Sequence, residues 1–342
     1  MNLSMQQFPK TRLRRNRSDK WLRDLLHEHH IHAADLILPI FIQEGKKKKD
    51  PIKKLPDIYR YSIDLALEEV AIAKKLGIKA IAVFPVVEQS LKTKDAKESC
   101  NENNLICRAI KQIKQIHPEI GIIADVALDP YNLDGHDGVV INSYVDNDKT
   151  LEILARQAVT LAKAGADIIA PSDMMDGRVG HLREALDKQD FINVKILAYS
   201  VKYLSSFYGP FRDAIGSDIN LKDQDKSSYQ MDFSNRDEAV AEVEMDINEG
   251  ADMIIIKPAL CYLDIIRSIK DKFNISIFAY QVSGEYAMLK AAGDSGYLDY
   301  KKVMFESLIA CKRAGATAIL CYDAINIVTH LKQKQKDSSY QQ

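Results

Sequence analysis

The sequence predicts a closed parallel barrel of eight β/α units, a (β/α)8 or TIM barrel, preceded by an extended N-terminal arm. Three observations carry this. Helix-like segments that end in glycine and run straight into an apolar stretch recur at 74–86, 163–173, 249–258 and 313–323. Four further apolar runs of strand length lie between or around them. The intervening stretches carry apolar residues three and four apart, the spacing of an amphipathic helix. Near-continuous apolar strands separated by helices must be covered on both faces, which demands a parallel sheet, and eight such units close most simply into a barrel. A doubly wound open sheet is the alternative.

Residues 1–30 come first and break the barrel rhythm. A basic stretch, TRLRRNR, precedes SDKWLRDLLHEH, a possible helix with Trp21, Leu22, Leu25 and Leu26 on its apolar side. An arm this short does not fold alone and is expected to pack on a neighbouring subunit; a disordered basic tail is the other reading. The histidines of HEHHIH (27–32) lack the i, i+4 pair of a helical zinc site, so no metal is assigned there.

The barrel spans 31–334. Its first strand is DLILPIFI (35–42), followed by KKKKD (46–50), which reads as a solvated turn. SIDLALEEVAIAKKLG is a helix stopped by a C-cap glycine, feeding the second strand; NNLICRAIKQIKQIHP leads to the third, GIIADVAL (121–128); DKTLEILARQAVTLAKAG leads to the fourth. KILAYSV (195–201), the run ending at Lys257, ISIFAYQV (275–282) and the run within 313–323 complete the set. A polar, aperiodic stretch, GSDINLKDQDKSSYQ (216–230), is expected to be a lid, spanning about 213–230, rather than a plain surface loop. Residues 335–342 read as a polar tail.

Composition narrows the function. A chain of 342 residues, 46% hydrophobic and 28% charged, buries a sizeable core. With 47 basic against 48 acidic side chains it has no global field for nucleic acid or an anionic membrane, so a small molecule is the expected partner. No run approaches the roughly 18 apolar residues of a membrane span, and the start lacks a secretory apolar core, which makes the cytoplasm the expected compartment. Cys100, Cys107, Cys261, Cys311 and Cys321 are scattered and odd in number, against a disulfide framework or a CxxC metal site.

In such a barrel the carboxyl-terminal strand ends share one mouth, where active sites are built. Those ends supply Asp125 and Asp129, Ser172 and Asp173, Lys202, Lys257, Ser283, then Tyr322 and Asp323. Lys202 and Lys257 close two apolar runs, ILAYSVK and ADMIIIK. Burying a lysine lowers its pKa and leaves free amine to attack a carbonyl. Either lysine alone reads equally as a snorkelling cation; two on adjacent strands, about 4.8 Å apart, repel until one deprotonates. Two such amines suggest two carbonyl substrates. Arg212, ten residues past Lys202, offers a two-point clamp for a carboxylate, and Lys226 in the lid can close on the same anion. Ser283 and Tyr322 are hydroxyl donors.

The segments KYLSSFYGPFRDA, IIKPALCYLDI, NRDEAVAE, APSDMMDG and AYQVSGEYAML resemble, in order and over nearly the whole chain, the motifs of the porphobilinogen synthase (5-aminolevulinate dehydratase) family. The resemblance implies condensation of two 5-aminolevulinate molecules to porphobilinogen with loss of two waters, in tetrapyrrole biosynthesis. It implies one substrate on each lysine, Lys257 at the propionate-side site and Lys202 at the acetate side. Arg212 and Lys226 match the clamp on the acetate-side carboxylate; Ser283 and Tyr322 match the hydroxyls that hold the other. Glu242 matches a glutamate that binds a stimulating Mg²⁺ near a subunit interface. Where zinc-dependent members carry three cysteines this chain has Ala127, Asp129 and Asp137, so thiolate ligation of zinc is excluded there and the chain resembles the aspartate-rich subgroup. Asp129 and Asp137 are hard ligands suited to Mg²⁺, or they serve hydrogen bonding or a monovalent ion such as K⁺. Asp125, Asp173 or a lysine released from its imine is the expected proton-abstracting base. The family also implies a homo-octamer that exchanges with smaller forms. A class I aldolase, needing one reactive lysine, is the competing enzyme reading, and a ligand-binding scaffold the non-enzyme one.

Overall fold

The computed structural model describes residues 7–215 and 225–339. Eight strands form the barrel: β1 (Leu36–Ile42), β2 (Ala80–Pro85), β3 (Gly121–Val126), β4 (Ile168–Pro171), β5 (Lys195–Lys202), β6 (Met253–Lys257), β7 (Ser276–Tyr280) and β8 (Ala318–Leu320). Each pairs in parallel with the next in sequence, and β8 returns to β1 through Leu36 opposite Ile319, closing the sheet. The closure excludes the doubly wound alternative. All eight strands lie in the runs expected from sequence.

The helices are α1 (Lys20–Leu25), α2 (Ile63–Leu76), α3 (Leu105–Ile116), α4 (Asn147–Ala164), α5 (Arg178–Asp187), α6 (Gly209–Ile215), α7 (Asp237–Asn248), α8 (Leu263–Lys272), α9 (Ser283–Asp294), α10 (Tyr300–Ala314) and α11 (Ala324–Ser339). α3 shows why the segments between strands fold this way. The Asn104 side chain accepts from the Cys107 N–H at 2.8 Å and caps the helix, while Leu105, Ile106, Ala109, Ile110 and Ile113 face the core. α2 and α4 end at Gly77 and Gly165, both left-handed (φ 95° and 105°), a conformation costly to side chains with a Cβ.

The structure adds two pieces to the expected plan. Lys49–Pro51 and Tyr59–Tyr61 form an antiparallel pair, and the second runs beside the end of β1. Lys49, at the end of the lysine run, is therefore a strand residue, its ammonium 4.3 Å from the Tyr59 ring centre. Val139–Ile141 and Tyr144–Asp146 form a hairpin turned by Asn142 and Ser143, both at positive φ, as a type I′ turn requires.

The arm and the two ends also differ from expectation in extent. The arm helix covers only Lys20–Leu25, less than SDKWLRDLLHEH; a single isolated turn and a half is marginal without a packing partner. Within this chain Phe8, Trp21 and Leu25 stay exposed, Leu25 at 71%. α11 continues past the 334 boundary to Ser339. Much of the expected lid, 216–224, lies outside the described residues, as do 1–6 and 340–342. Among the described residues no helix is long and apolar enough to cross a membrane.

Candidate active site

The site is built where β5 meets β6. Register runs regularly from Met253 opposite Leu197 to Ile254 opposite Ala198, then steps to Ile256 opposite Val201 and Lys257 opposite Lys202. Tyr199 and Ser200 thus stand against the single residue Ile255, a bulge of one extra residue in β5. Side chains alternate along a strand, so residues three apart normally point to opposite faces. The bulge breaks that parity: Lys202 lines the cavity, and the Tyr199 ring lies 5.2 Å from Lys257 Nζ in the same interior. Without the extra residue Lys257 would oppose Val201.

Both lysines are buried, at 5% and 6% exposure. The Lys257 ammonium position is surrounded by Tyr280, Phe211, Tyr199 and Tyr208, with ring centres 4.6, 5.0, 5.2 and 5.2 Å away. Such faces favour the cation. Burial, and then the charge of Lys202, outweigh them and lower the Lys257 pKa to about 7, so a large share of it is free amine at neutrality. Lys202 instead meets acceptors: Asp137 at 3.5 Å and the Ser172 carbonyl.

The carboxylates divide by environment. Asp125 lines the cavity and accepts from Ser172 Oγ at 3.1 Å; burial, against the pull of both lysines, raises it to about 6. Burial pushes Asp137 up as well, but Lys202 and Lys226 overcome it and hold the group at about 2. Asp173 is fully buried and does not line the cavity. One of its oxygens accepts from the Met175 N–H at 2.8 Å, and burial raises it to about 6.

Lys226, 6% exposed, spans Asp129 at 3.4 Å and Asp137 at 3.1 Å. Burial lowers its pKa, but the two carboxylates raise it further, and it stays a cation. Arg212 lines the same cavity from α6. Tyr229, three residues on from Lys226, ties that stretch to the 125–138 segment. Its hydroxyl lies 3.0 Å from His136 Nδ1 and accepts from the Asp137 N–H at 3.2 Å.

Neither Ser283 nor Tyr322 lines this cavity. Ser283 Oγ accepts from the Phe211 N–H at 2.9 Å and donates to the Phe207 carbonyl at 3.3 Å; the Tyr322 hydroxyl lies 3.2 Å from that of Tyr280. Each therefore holds an aromatic segment of the Lys257 cage. Glu242 is apart from all of these, in a second cavity of about 250 Å³ shared with Glu238, Asp176 and Asn147. Burial raises Glu242 to about 7, and Asp246 and Asp176 add to the shift.

Several residues were not anticipated from sequence. Besides the aromatic cage, Lys92 is 5% exposed, its pKa lowered by burial against the attraction of Asp129. Gln230 lines the cavity and lies 3.4 Å from Asp137. Glu285, with no exposed surface, accepts from the N–H groups of Val282, Ala259 and Leu260, tying α9 to the turn after Lys257. A buried lysine at a strand end is a readable signal; an aromatic brought in from another strand is not.

Among the described residues, no three or more His, Cys, Asp or Glu side chains gather as a metal-binding group. Asp129 and Asp137 do not fit a divalent ion as arranged, because the Lys226 ammonium takes up both carboxylates. The Glu242 cavity fits hydrated Mg²⁺ better: it offers a few hard oxygens, and Mg²⁺ keeps most of its waters.

Residues 10–330 match the protein family described as Delta-aminolevulinic acid dehydratase. The chain is similar to the delta-aminolevulinic acid dehydratase of Bradyrhizobium diazoefficiens, with 51% identity over 92% of this chain and 88% of the relative. It is similar also to that of Bacillus subtilis, with 45% identity over 92% and 95%. The fold matches a crystal structure of delta-aminolevulinic acid dehydratase (porphobilinogen synthase) from Toxoplasma gondii in complex with the reaction product porphobilinogen. That match has a TM-score of 0.91 and 46% identity, covering 93% of this chain and 91% of that one.

Proposed function

The chain belongs to the Delta-aminolevulinic acid dehydratase family, and from that premise we infer that it is a porphobilinogen synthase, condensing two 5-aminolevulinate molecules to porphobilinogen with loss of two waters. The observation that carries the chemistry is the pairing of Lys257 with Lys202 across adjacent strands in one interior. Each amine attacks the ketone carbon of one substrate and expels its oxygen as water, leaving an imine; the protonated imine acidifies the adjacent carbon. Lys257, in large part free amine at neutrality, is poised to react, and Asp125, lining the same cavity with a pKa of about 6, is the base suited to remove that proton. Formation of one C–C and one C–N bond closes the ring and returns both lysines.

Arg212 and Lys226 hold the carboxylate of the Lys202-bound substrate, for which Lys226 exchanges its contacts with Asp129 and Asp137. Ser283 and Tyr322 hold the other carboxylate, exchanging their contacts with the Phe211 N–H and the Tyr280 hydroxyl. Glu242 and Glu238 would hold a stimulating Mg²⁺, which when bound would supply local positive charge beside Ser227–Met231, the stretch that leads on from Lys226. No step is routed through a metal at Asp129 and Asp137. The arm, with Trp21 and Leu25 uncovered in the single chain, packs on neighbouring copies in a homo-octamer that exchanges with smaller forms.

The test is a colorimetric pyrrole assay on chelated protein with Mg²⁺, Zn²⁺ and K⁺ returned separately, beside borohydride trapping of 5-aminolevulinate. Pyrrole formation, stimulation by Mg²⁺ that Glu242→Ala removes, and adducts on both Lys202 and Lys257 are expected. A protein that makes no pyrrole under any ion, or is labelled on one lysine only as an aldolase would be, refutes the reading.

A further inference from the structure

The bulge at Tyr199–Ser200 sets the phase of Lys202, and something must hold it, because the extra residue disturbs the regular ladder. Arg178, at the start of α5, is the side chain in place to do so. It is 2% exposed, and its Nη2 donates to the Tyr199 carbonyl at 3.1 Å, within the bulge itself. Its Nη1 donates to the Met175 carbonyl at 3.0 Å, and its charge is balanced by Asp246 of α7 at 3.2 Å. A buried guanidinium is costly, and an ion pair alone rarely repays its desolvation, so the pair with Asp246 does not by itself account for Arg178. The planar fork reaches a strand carbonyl, a loop carbonyl and a helix carboxylate from two separated nitrogens, where a lysine has one.

We infer that Arg178 is a positioning residue for the reaction: by gripping the Tyr199 carbonyl it fixes the β5 bulge that turns Lys202 into the cavity beside Lys257. Its effect falls first on Lys202, whose phase the bulge sets. Lys257 has holds outside the bulge, the Tyr208 hydroxyl on its own carbonyl at 3.1 Å and Glu285 on the turn that follows, although the Tyr203 N–H on the same carbonyl and the Tyr199 ring belong to the β5 side.

The inference rests on the two-lysine reading above, and the experiment separates the two. Protein is incubated with 5-aminolevulinate, reduced with borohydride so that each imine becomes a stable secondary amine, and digested; mass spectrometry then gives the adduct at Lys202 and at Lys257. Removing one partner of a buried pair endangers the fold, so the main variant is Arg178→Met/Asp246→Leu, which removes both charges. It is expected to lower the Lys202 adduct roughly 10- to 100-fold, the penalty of misplacing a reacting group by about 1 Å, and the Lys257 adduct by much less. Arg178→Lys, which keeps a charge opposite Asp246, is expected to show the same bias more weakly, and it decides the matter if the double variant does not fold. Asp246→Asn, which leaves the Tyr199 contact in place, is expected to keep the wild-type ratio. An unchanged ratio in folded Arg178 variants, or a parallel loss of both adducts, overturns the inference. Wild-type protein that traps substrate on neither lysine overturns the two-lysine reading instead.

Discussion

Lys202 and Lys257 stand directly opposite one another in the pairing of β5 with β6, so each amine lies in the field of the other. The charge of Lys202 is, after burial, the largest influence lowering Lys257 to about 7.

Replacing Lys202 by Met therefore raises the Lys257 pKa, because the repelling charge is gone while the counter-charges stay. Less free amine is present at neutral pH, and the pH at which Lys257 becomes trappable by levulinate and borohydride moves upward. A shift of one unit corresponds to about 1.4 kcal/mol. A fixed or lowered onset shows that the two amines do not interact.

Phe211→Leu acts in the opposite direction. One of the four rings favouring the Lys257 ammonium is lost, a contribution of about 0.5–2 kcal/mol, so the pKa falls by up to roughly one and a half units. The acidic limb of the trapping profile moves to lower pH. A move to higher pH means that burial, rather than the ring face, is the ring's main effect.

Asp137 carries two lysines, and its loss should be felt in stability. Its folded pKa of about 2 lies below the ordinary 3.8, so its stabilisation is present above the unfolded value and disappears as pH falls from about 4 to 2. Asp137→Asn leaves Lys202 and Lys226 short of a buried counter-charge and is expected to cost roughly 3–5 kcal/mol at pH 7. Denaturant unfolding at pH 7 and at pH 3 checks this. A variant as stable as wild type at pH 7 shows that the ammonium groups find other partners.

Much of the site is legible in the sequence because a barrel converts strand ends into one place. Lys202, Lys257 and Asp125 line one cavity, as that rule leads one to expect, and Lys226, expected to close with Arg212 on a substrate anion, lines it too but lies against Asp129 and Asp137. What could not be read is whatever breaks periodicity or joins distant segments. The Tyr199–Ser200 bulge looks like ordinary strand, since AYS is apolar enough to continue the run. The Lys257 cage draws on β5, β7 and the segment after β5, and Glu285 reaches back to Ala259 and Leu260 across 26 and 25 positions. The hairpin at 139–146 had a visible sign in Asn142-Ser143, but only three residues flank it on each side, too few for a strand pattern.

Lys226 behaves as a tethered counter-ion, and that makes dissolved salt a mechanical input. An alkali ion settling between Asp129 and Asp137 must first expel an ammonium that is part of the chain, and the evicted residue is one of the two cations proposed to greet an incoming carboxylate. Swapping potassium for a bulky organic cation in the buffer thus reports on how the enzyme arms itself for substrate.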